Sequence, residues 1–230
     1  RNPYWQEIAV SHSDDLATRF GRAIRDIINT DAYKSIFPQI NIRKDNRAAN
    51  SWALEHKKKQ AGSFLAAGSG SGIAGFGAHL AILDDPISEQ DAFSKSRRDT
   101  LNEWYSSGLR TRLMPGGKVV LVMTRWAQDD LTGRLIKAEN EPKADKWEKI
   151  SFPAIIGEEE NSQPVWPEYW KLDELEKVQA TLPTGKWNAQ WMQNPTAEEG
   201  AILKREWWRI WEKDWIPTFP HVIQSYDTAF

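Results

Sequence analysis

Apolar residues recur along this chain with two periods, and the switches between them predict its elements. Trp5-Gln6-Glu7-Ile8-Ala9-Val10 reads as a short strand over 5–10. Ser11-His12-Ser13-Asp14-Asp15 supplies a turn and helix N-cap residues. Leu16, Phe20, Ile24, Ile27 and Ile28 then fall at helical spacing and predict a helix over 14–29. Short antiparallel strands are expected within 51–67, with Ser63-Phe64-Leu65-Ala66-Ala67 the clearest. His79-Leu80-Ala81-Ile82-Leu83 is a short apolar strand. Residues 91–113 read as mostly helical, with Phe93, Leu101, Trp104, Tyr105 and Leu109 pointing inward. Val119 to Met123 is a continuous apolar run, the pattern of a strand buried on both faces. A helix over 129–139 and a strand over 148–152 follow.

Strands that alternate with helices argue for an α/β domain built on a largely parallel sheet. After Pro153 the texture changes. An acidic loop at 157–161 precedes helices over 172–181 and 184–192. Residues 194–220 are rich in Trp and Pro and read as an ordered connector, and His221 to Tyr226 resumes as a strand that delivers Asp227. Nine of the 13 tryptophans fall at or after Trp147. The pairs Trp166/Trp170, Trp187/Trp191 and Trp207/Trp211 are each four apart and read as packing of the segment after Pro153 onto the domain before it.

Composition narrows the function classes. The 230 residues are 40% apolar and 27% charged, enough to build a core. No apolar run approaches the roughly 20 residues of a membrane span. No signal-peptide pattern is present. There are no cysteines, and His12, His56, His79 and His221 are too dispersed to suggest a zinc cluster. A cytosolic protein is the simplest reading. The net charge of −2 does not announce a nucleic-acid binder, yet a local surface can be basic within a neutral whole. Arg1 stands where an initiating Met is expected, and the chain stops directly after a strand-like run at Phe230. A fragment of a longer polypeptide is expected.

The strongest chemical signal is His79-Leu80-Ala81-Ile82-Leu83-Asp84-Asp85-Pro86, an apolar strand ending in two carboxylates. Ligands of open α/β sheets bind at the C-terminal strand edge. A carboxylate there can hold the water shell of a nucleotide-bound Mg²⁺, and a second can orient or deprotonate an attacking water. A strand capped by a polar turn has the same pattern. Val119 to Met123 ends similarly, in Thr124-Arg125-Trp126. A hydroxyl at that tip can sense a γ-phosphate, and a guanidinium can neutralise transition-state charge. A plain strand end with a surface Arg is the alternative. Gly70-Ser71-Gly72-Ile73-Ala74-Gly75 formally matches a dinucleotide fingerprint. A strand rather than a helix follows it, so it reads as a turn between strands. No GxxxxGK[ST] loop occurs, so a nucleotide enzyme must carry that loop before Arg1. Lys57-Lys58-Lys59, Arg97-Arg98 and Arg110 with Arg112 are candidate phosphate contacts, and each group taken singly also fits a solvated surface.

The ordered set of segments resembles the large terminase subunit of tailed bacteriophages, the motor that packages DNA into capsids. The residues that carry the resemblance are Ser11 to Ala17, Gly77 to Pro86, Met123 to Trp126 followed by Asp129 to Leu135, Trp147 to Ala154, Gln190 to Pro195, and Ser225 to Phe230. The resemblance implies a P-loop-type ATPase core with a largely parallel sheet over 1–153, lacking its phosphate loop. It implies a linker subdomain over 154–220 and the first strand of a ribonuclease H-like nuclease over 221–230. Asp84 is then the Walker B carboxylate on Mg²⁺. Asp85 is the catalytic carboxylate, where many relatives carry Glu. Thr124 lies in the coupling motif with Arg125 beside it. Asp227 is the first nuclease ligand, for Mg²⁺ or Mn²⁺. ATP is the implied substrate. Double-stranded DNA, a portal protein and a small terminase subunit are the implied partners, with a ring-shaped homo-oligomer in a bacterial host's cytoplasm. The parent protein is expected to be an ATPase and endonuclease, and the fragment alone inactive. Two rivals are a helicase-type ATPase and a non-catalytic α/β scaffold that binds DNA or a capsid protein.

Overall fold

The computed structural model describes residues 2–57, 59–157 and 161–196. The expected strand over 221–226, Asp227, and the pair Trp207/Trp211 lie outside the described residues.

The chain folds as an α/β structure around a six-stranded mixed sheet, order β2-β3-β4-β1-β5-β6. The strands are β1 (Gln6–Ser11), β2 (Ile40–Arg47), β3 (Ser51–His56), β4 (Lys59–Gly68), β5 (Ala78–Asp84) and β6 (Leu113–Val122). β4, β1, β5 and β6 run parallel, while β2-β3 and β3-β4 are antiparallel. The register Ile8↔Leu65 and Ile8↔Ala81 puts these three side chains on one face. Ala9, Ala66 and Ile82 point to the other.

Each face has its own cover. Helix α1 (Asp14–Ile28) begins at Ser13, whose hydroxyl accepts from the Leu16 N–H, and α2 (Asp31–Ile36) follows. α1 lays Ala17 and Ile28 on Trp52, Phe64 and Ala66. Gly21 allows this close approach: a Cβ there would lie 2.8 Å from the Ala49 carbonyl oxygen. The opposite face is covered by α3 (Glu89–Ala92), α4 (Lys95–Glu103) and α5 (Leu131–Ala138). With the π-helical stretch Trp104–Leu109 they bury Ala92, Leu101, Tyr105, Leu109 and Leu131 against Ile8, Val10, Leu65, Ala81 and Leu83.

Four expectations are corrected. The helix expected over 91–113 is broken into α3, α4, a π-helical stretch Trp104–Leu109 and a 3₁₀ turn Arg110–Arg112. Ser94 interrupts it by capping α4, with its hydroxyl accepting from the Arg97 N–H. Phe93 is 45% exposed rather than inward, while Leu101, Tyr105 and Leu109 are buried as expected. β6 is not buried on both faces. It is the sheet's edge among the described residues, with Val120 and Val122 exposed while Val119 and Leu121 pack on the core. Residues 148–152 form no strand, and Ile150 and Phe152 are 72% and 70% exposed. The glycine-rich stretch is a turn between β4 and β5, as its flanking pattern predicts.

Beyond 153 the chain carries a two-stranded ladder, β7 (Ile155–Ile156) with β8 (Gln163–Pro164), and α6 (Leu172–Thr181). A helical turn α7 (Thr184–Lys186) and a π-helical stretch Trp187–Trp191 follow. Trp187 stacks on Trp191 with centroids 5.5 Å apart, and Trp170 meets Trp191 edge-on at 5.6 Å. Trp166 stacks on Tyr169 rather than on Trp170. No helix among the described residues is long and apolar enough to cross a membrane.

Candidate active site at the C-terminal edge of the sheet

Four parallel strands end at one edge. Their tips are Ser11 on β1, Gly68 on β4, Asp84 on β5 and Val122 on β6. Chain direction alone therefore gathers Ser11, Asp84, Asp85 and Thr124 at this edge. The buried pair Pro86 and Ile87 anchors the turn that follows β5.

Asp84 closes β5 opposite Val122 and is half-buried. Its carboxylate has no hydrogen bond or ion pair among the described residues. Burial pushes its pKa above the ordinary carboxylate value, and the neighbouring charge of Asp85 pushes in the same direction. Asp85 is exposed and held in the left-handed region, at φ 43°. That conformation is costly for a side-chain-bearing residue, and a following proline narrows it further. Two contacts to β6 hold it there. The Asp85 N–H donates to the Val122 carbonyl at 2.9 Å, and Asp85 Oδ1 accepts from the Thr124 N–H at 3.1 Å. Strained backbone of this kind concentrates at functional sites.

Thr124 is thus tied through its backbone to the second carboxylate. Arg125 is engaged elsewhere. Its Nε donates to Asp130 at 2.8 and 3.1 Å, and its side chain is 12% exposed. Asp130 is 1% exposed and also accepts from the Trp126 and Gly133 N–H groups at 3.0 and 2.8 Å. A Cβ at Gly133 would lie 1.9 Å from the Gln128 carbonyl oxygen, so this turn requires glycine. Asp130 caps α5 and clamps the segment leaving β6, a role the sequence reading missed. Its signal was present: an Asp immediately before the helical period.

Asp14 adds a further carboxylate at the same edge. Asp14 Oδ1 accepts from the Gly68 N–H at 2.6 Å and from the Ser71 hydroxyl at 2.9 Å, joining α1 to the turn after β4. The Ser11 hydroxyl is buried with no hydrogen-bond partner among the described residues.

A divalent cation fits Asp84 and Asp85. The two adjacent carboxylates have no side-chain cation against them among the described residues, and Mg²⁺ is bound through one or two carboxylates plus water and substrate phosphates. The other implied metal ligand, Asp227, lies outside the described residues. Three of the candidate phosphate contacts are neutralised locally. Arg97 pairs with Asp91 at 3.5 Å, Arg98 with Asp129 at 2.8 Å, and Arg110 with Asp145 through two nitrogens at 2.6 and 2.9 Å. Lys57 and Lys59 are exposed.

No protein-family model matches the chain, and a search of curated proteins finds no match to it.

Proposed function

We propose that this chain is part of a viral or prophage large terminase subunit, with a P-loop-type ATPase core, a linker and the start of a ribonuclease H-like nuclease. The observation that supports this reading best is the junction of two parallel strand tips. Asp84 and Asp85 end β5, and the Asp85 carboxylate is bonded to the backbone of Thr124 at the end of β6. Asp84 is the carboxylate for the nucleotide's Mg²⁺. Bound there, Mg²⁺ neutralises charge on the phosphates. Asp85 orients the attacking water and accepts its proton. The Thr124 N–H holds Asp85 in position, so movement at the tip of β6 alters the aim of that carboxylate. Arg125 and Asp130 fix the chain beyond Thr124.

The phosphate-cradling loop belongs, in this reading, to a preceding segment of the parent chain. Two features support a place for it. β6 presents an edge with no partner strand among the described residues. The segment 148–152 has no ladder partner among the described residues, and Ile150 and Phe152 are exposed. A strand added at β6 satisfies that edge. In the parent protein, ATP hydrolysis drives double-stranded DNA into a procapsid through the portal. Concatemers are recruited with the small subunit and cut by a metal-dependent nuclease to which Asp227 belongs. The work is done by a ring of copies in the host cytoplasm.

The test is ATP hydrolysis by the parent chain, with its phosphate loop, with and without double-stranded DNA, beside the 230-residue chain alone. The reading expects turnover by the parent, stimulated by DNA, and none by the shorter chain. A folded parent chain that does not hydrolyse ATP contradicts it and leaves Asp84-Asp85 as a polar strand cap.

A further inference from the structure

The charges are unevenly distributed along the chain. Residues 14–59 carry ten Lys or Arg against six Asp or Glu, in a chain whose net charge is −2. The structure gathers part of this excess on one surface. Thr18, Arg22, Arg25 and Asn29 fall at the spacing that lines one flank of α1, and Arg19 precedes Arg22 by one turn. Arg25 Nη1 donates to the Arg47 carbonyl at 2.9 Å. The Trp52 indole N–H donates to the Gly21 carbonyl at 3.3 Å. The turn between β2 and β3 is thereby docked against this flank, bringing Arg47 to it, and Lys44 lies three residues before Arg47 on β2.

Arg19, Arg22, Lys44 and Arg47 are exposed and form no ion pair among the described residues. That separates them from Arg97, Arg98 and Arg110, each held by a carboxylate. The acids nearby are Asp15, Asp26 and Asp45. Asp26 is 3.5 Å from Arg25, and Asp45 takes the Arg43 guanidinium.

We propose that the α1 flank and the β2-β3 turn form a binding surface for the sugar-phosphate backbone of double-stranded DNA. The proposal rests on the reading of the parent as a DNA-handling protein and assigns the contact surface. Successive arginines three apart on α1 rise by about 4.5 Å, so several phosphates can be met at once. Guanidinium forks suit phosphate oxygens, and Thr18, Asn29 and Asn50 add uncharged hydrogen-bonding groups. The apolar residues Phe20, Ile24 and Ile27 lie on the opposite flank. A membrane-surface helix instead places its apolar and basic residues so that both meet the bilayer.

The test is binding of a short fluorescent DNA duplex to the 230-residue chain, followed by anisotropy across a salt series. The variants are R22A/K44A/R47A and, as control, K95A/R97A, whose cations are already paired with Asp99 and Asp91. Both are checked for unchanged Tm. Each lost phosphate contact lowers the slope of log K against log salt by about 0.9, so the first variant is expected to lose about 3 in slope. The control is expected to keep the wild-type slope. Unchanged binding by R22A/K44A/R47A, an equal loss in K95A/R97A, or no duplex binding by the wild type overturns the assignment. So does displacement of the duplex by polyglutamate at equal charge, which points to an acidic protein. ATP turnover by the parent is a separate readout. Turnover with duplex binding indifferent to R22A/K44A/R47A removes this surface and leaves the motor reading. Sensitive binding without turnover keeps the surface and removes the motor.

Discussion

Asp84 sits where burial and a second carboxylate both disfavour its charge. Its folded-state pKa is raised, so the fold favours the protonated form. The resulting stability is present at low pH and is lost as pH rises through the carboxylate range. Asp84→Asn is therefore expected to raise Tm at neutral pH and to leave it unchanged in acid, as thermal melts at both pH values will show. An unchanged neutral-pH Tm contradicts the burial argument. Tyr105 gives an alkaline counterpart. It is 3% exposed, its hydroxyl has no partner among the described residues, and burial first, with the charge of Asp145 adding, pushes its pKa up to about 12. Folding is expected to weaken as pH rises from 10 towards 12, because the unfolded chain ionises first. Tyr105→Phe removes an unpaired buried hydroxyl. It is expected to be neutral or stabilising by up to about 1 kcal/mol near neutral pH and to reduce the alkaline loss. Urea melts across pH measure both effects.

At the scale of elements, the contact of α1 with the sheet depends on Gly21. Alanine there gains up to about 1 kcal/mol of helix propensity, but its Cβ meets the Ala49 carbonyl oxygen at 2.8 Å and the Ala66 Cβ at 3.2 Å. Overpacking costs about 1–3 kcal/mol, so Gly21→Ala is expected to destabilise overall. A higher midpoint in denaturant contradicts the close-approach argument. α1 and the strands ending at Ser11 and Asp84 were legible in the sequence because their apolar periods and polar ends agree. β6 was half-legible. Val119 to Met123 is apolar throughout, and such a run does not distinguish a central strand from an edge strand. Residues 148–152 have strand-like composition, yet a strand needs a ladder partner that propensity cannot supply. The break after Ala92 was visible only as Ser94, an N-cap residue inside an otherwise helical stretch.

At the scale of the molecule, the placement of Asp84, Asp85 and Thr124 at one edge was legible, because parallel strands bring their C-terminal ends together. The left-handed backbone of Asp85 and its bond to Thr124 were not, since they join positions 39 residues apart. The neutralisation of Arg110 by Asp145 is hidden for the same reason, with 35 residues between them. Local pattern therefore located the acidic edge correctly but could not separate paired from unpaired cations. In the parent chain, Asp85→Asn keeps the Thr124 contact sterically possible while removing the carboxylate proposed as the base. ATP binding and turnover by this variant and by Asp84→Asn test whether the two carboxylates at the β5 tip divide metal holding from proton transfer. The account predicts that Asp85→Asn still binds Mg²⁺-ATP but loses turnover by about 10²–10⁴-fold, and that Asp84→Asn loses the Mg²⁺ dependence of binding. Wild-type turnover in both variants would contradict it.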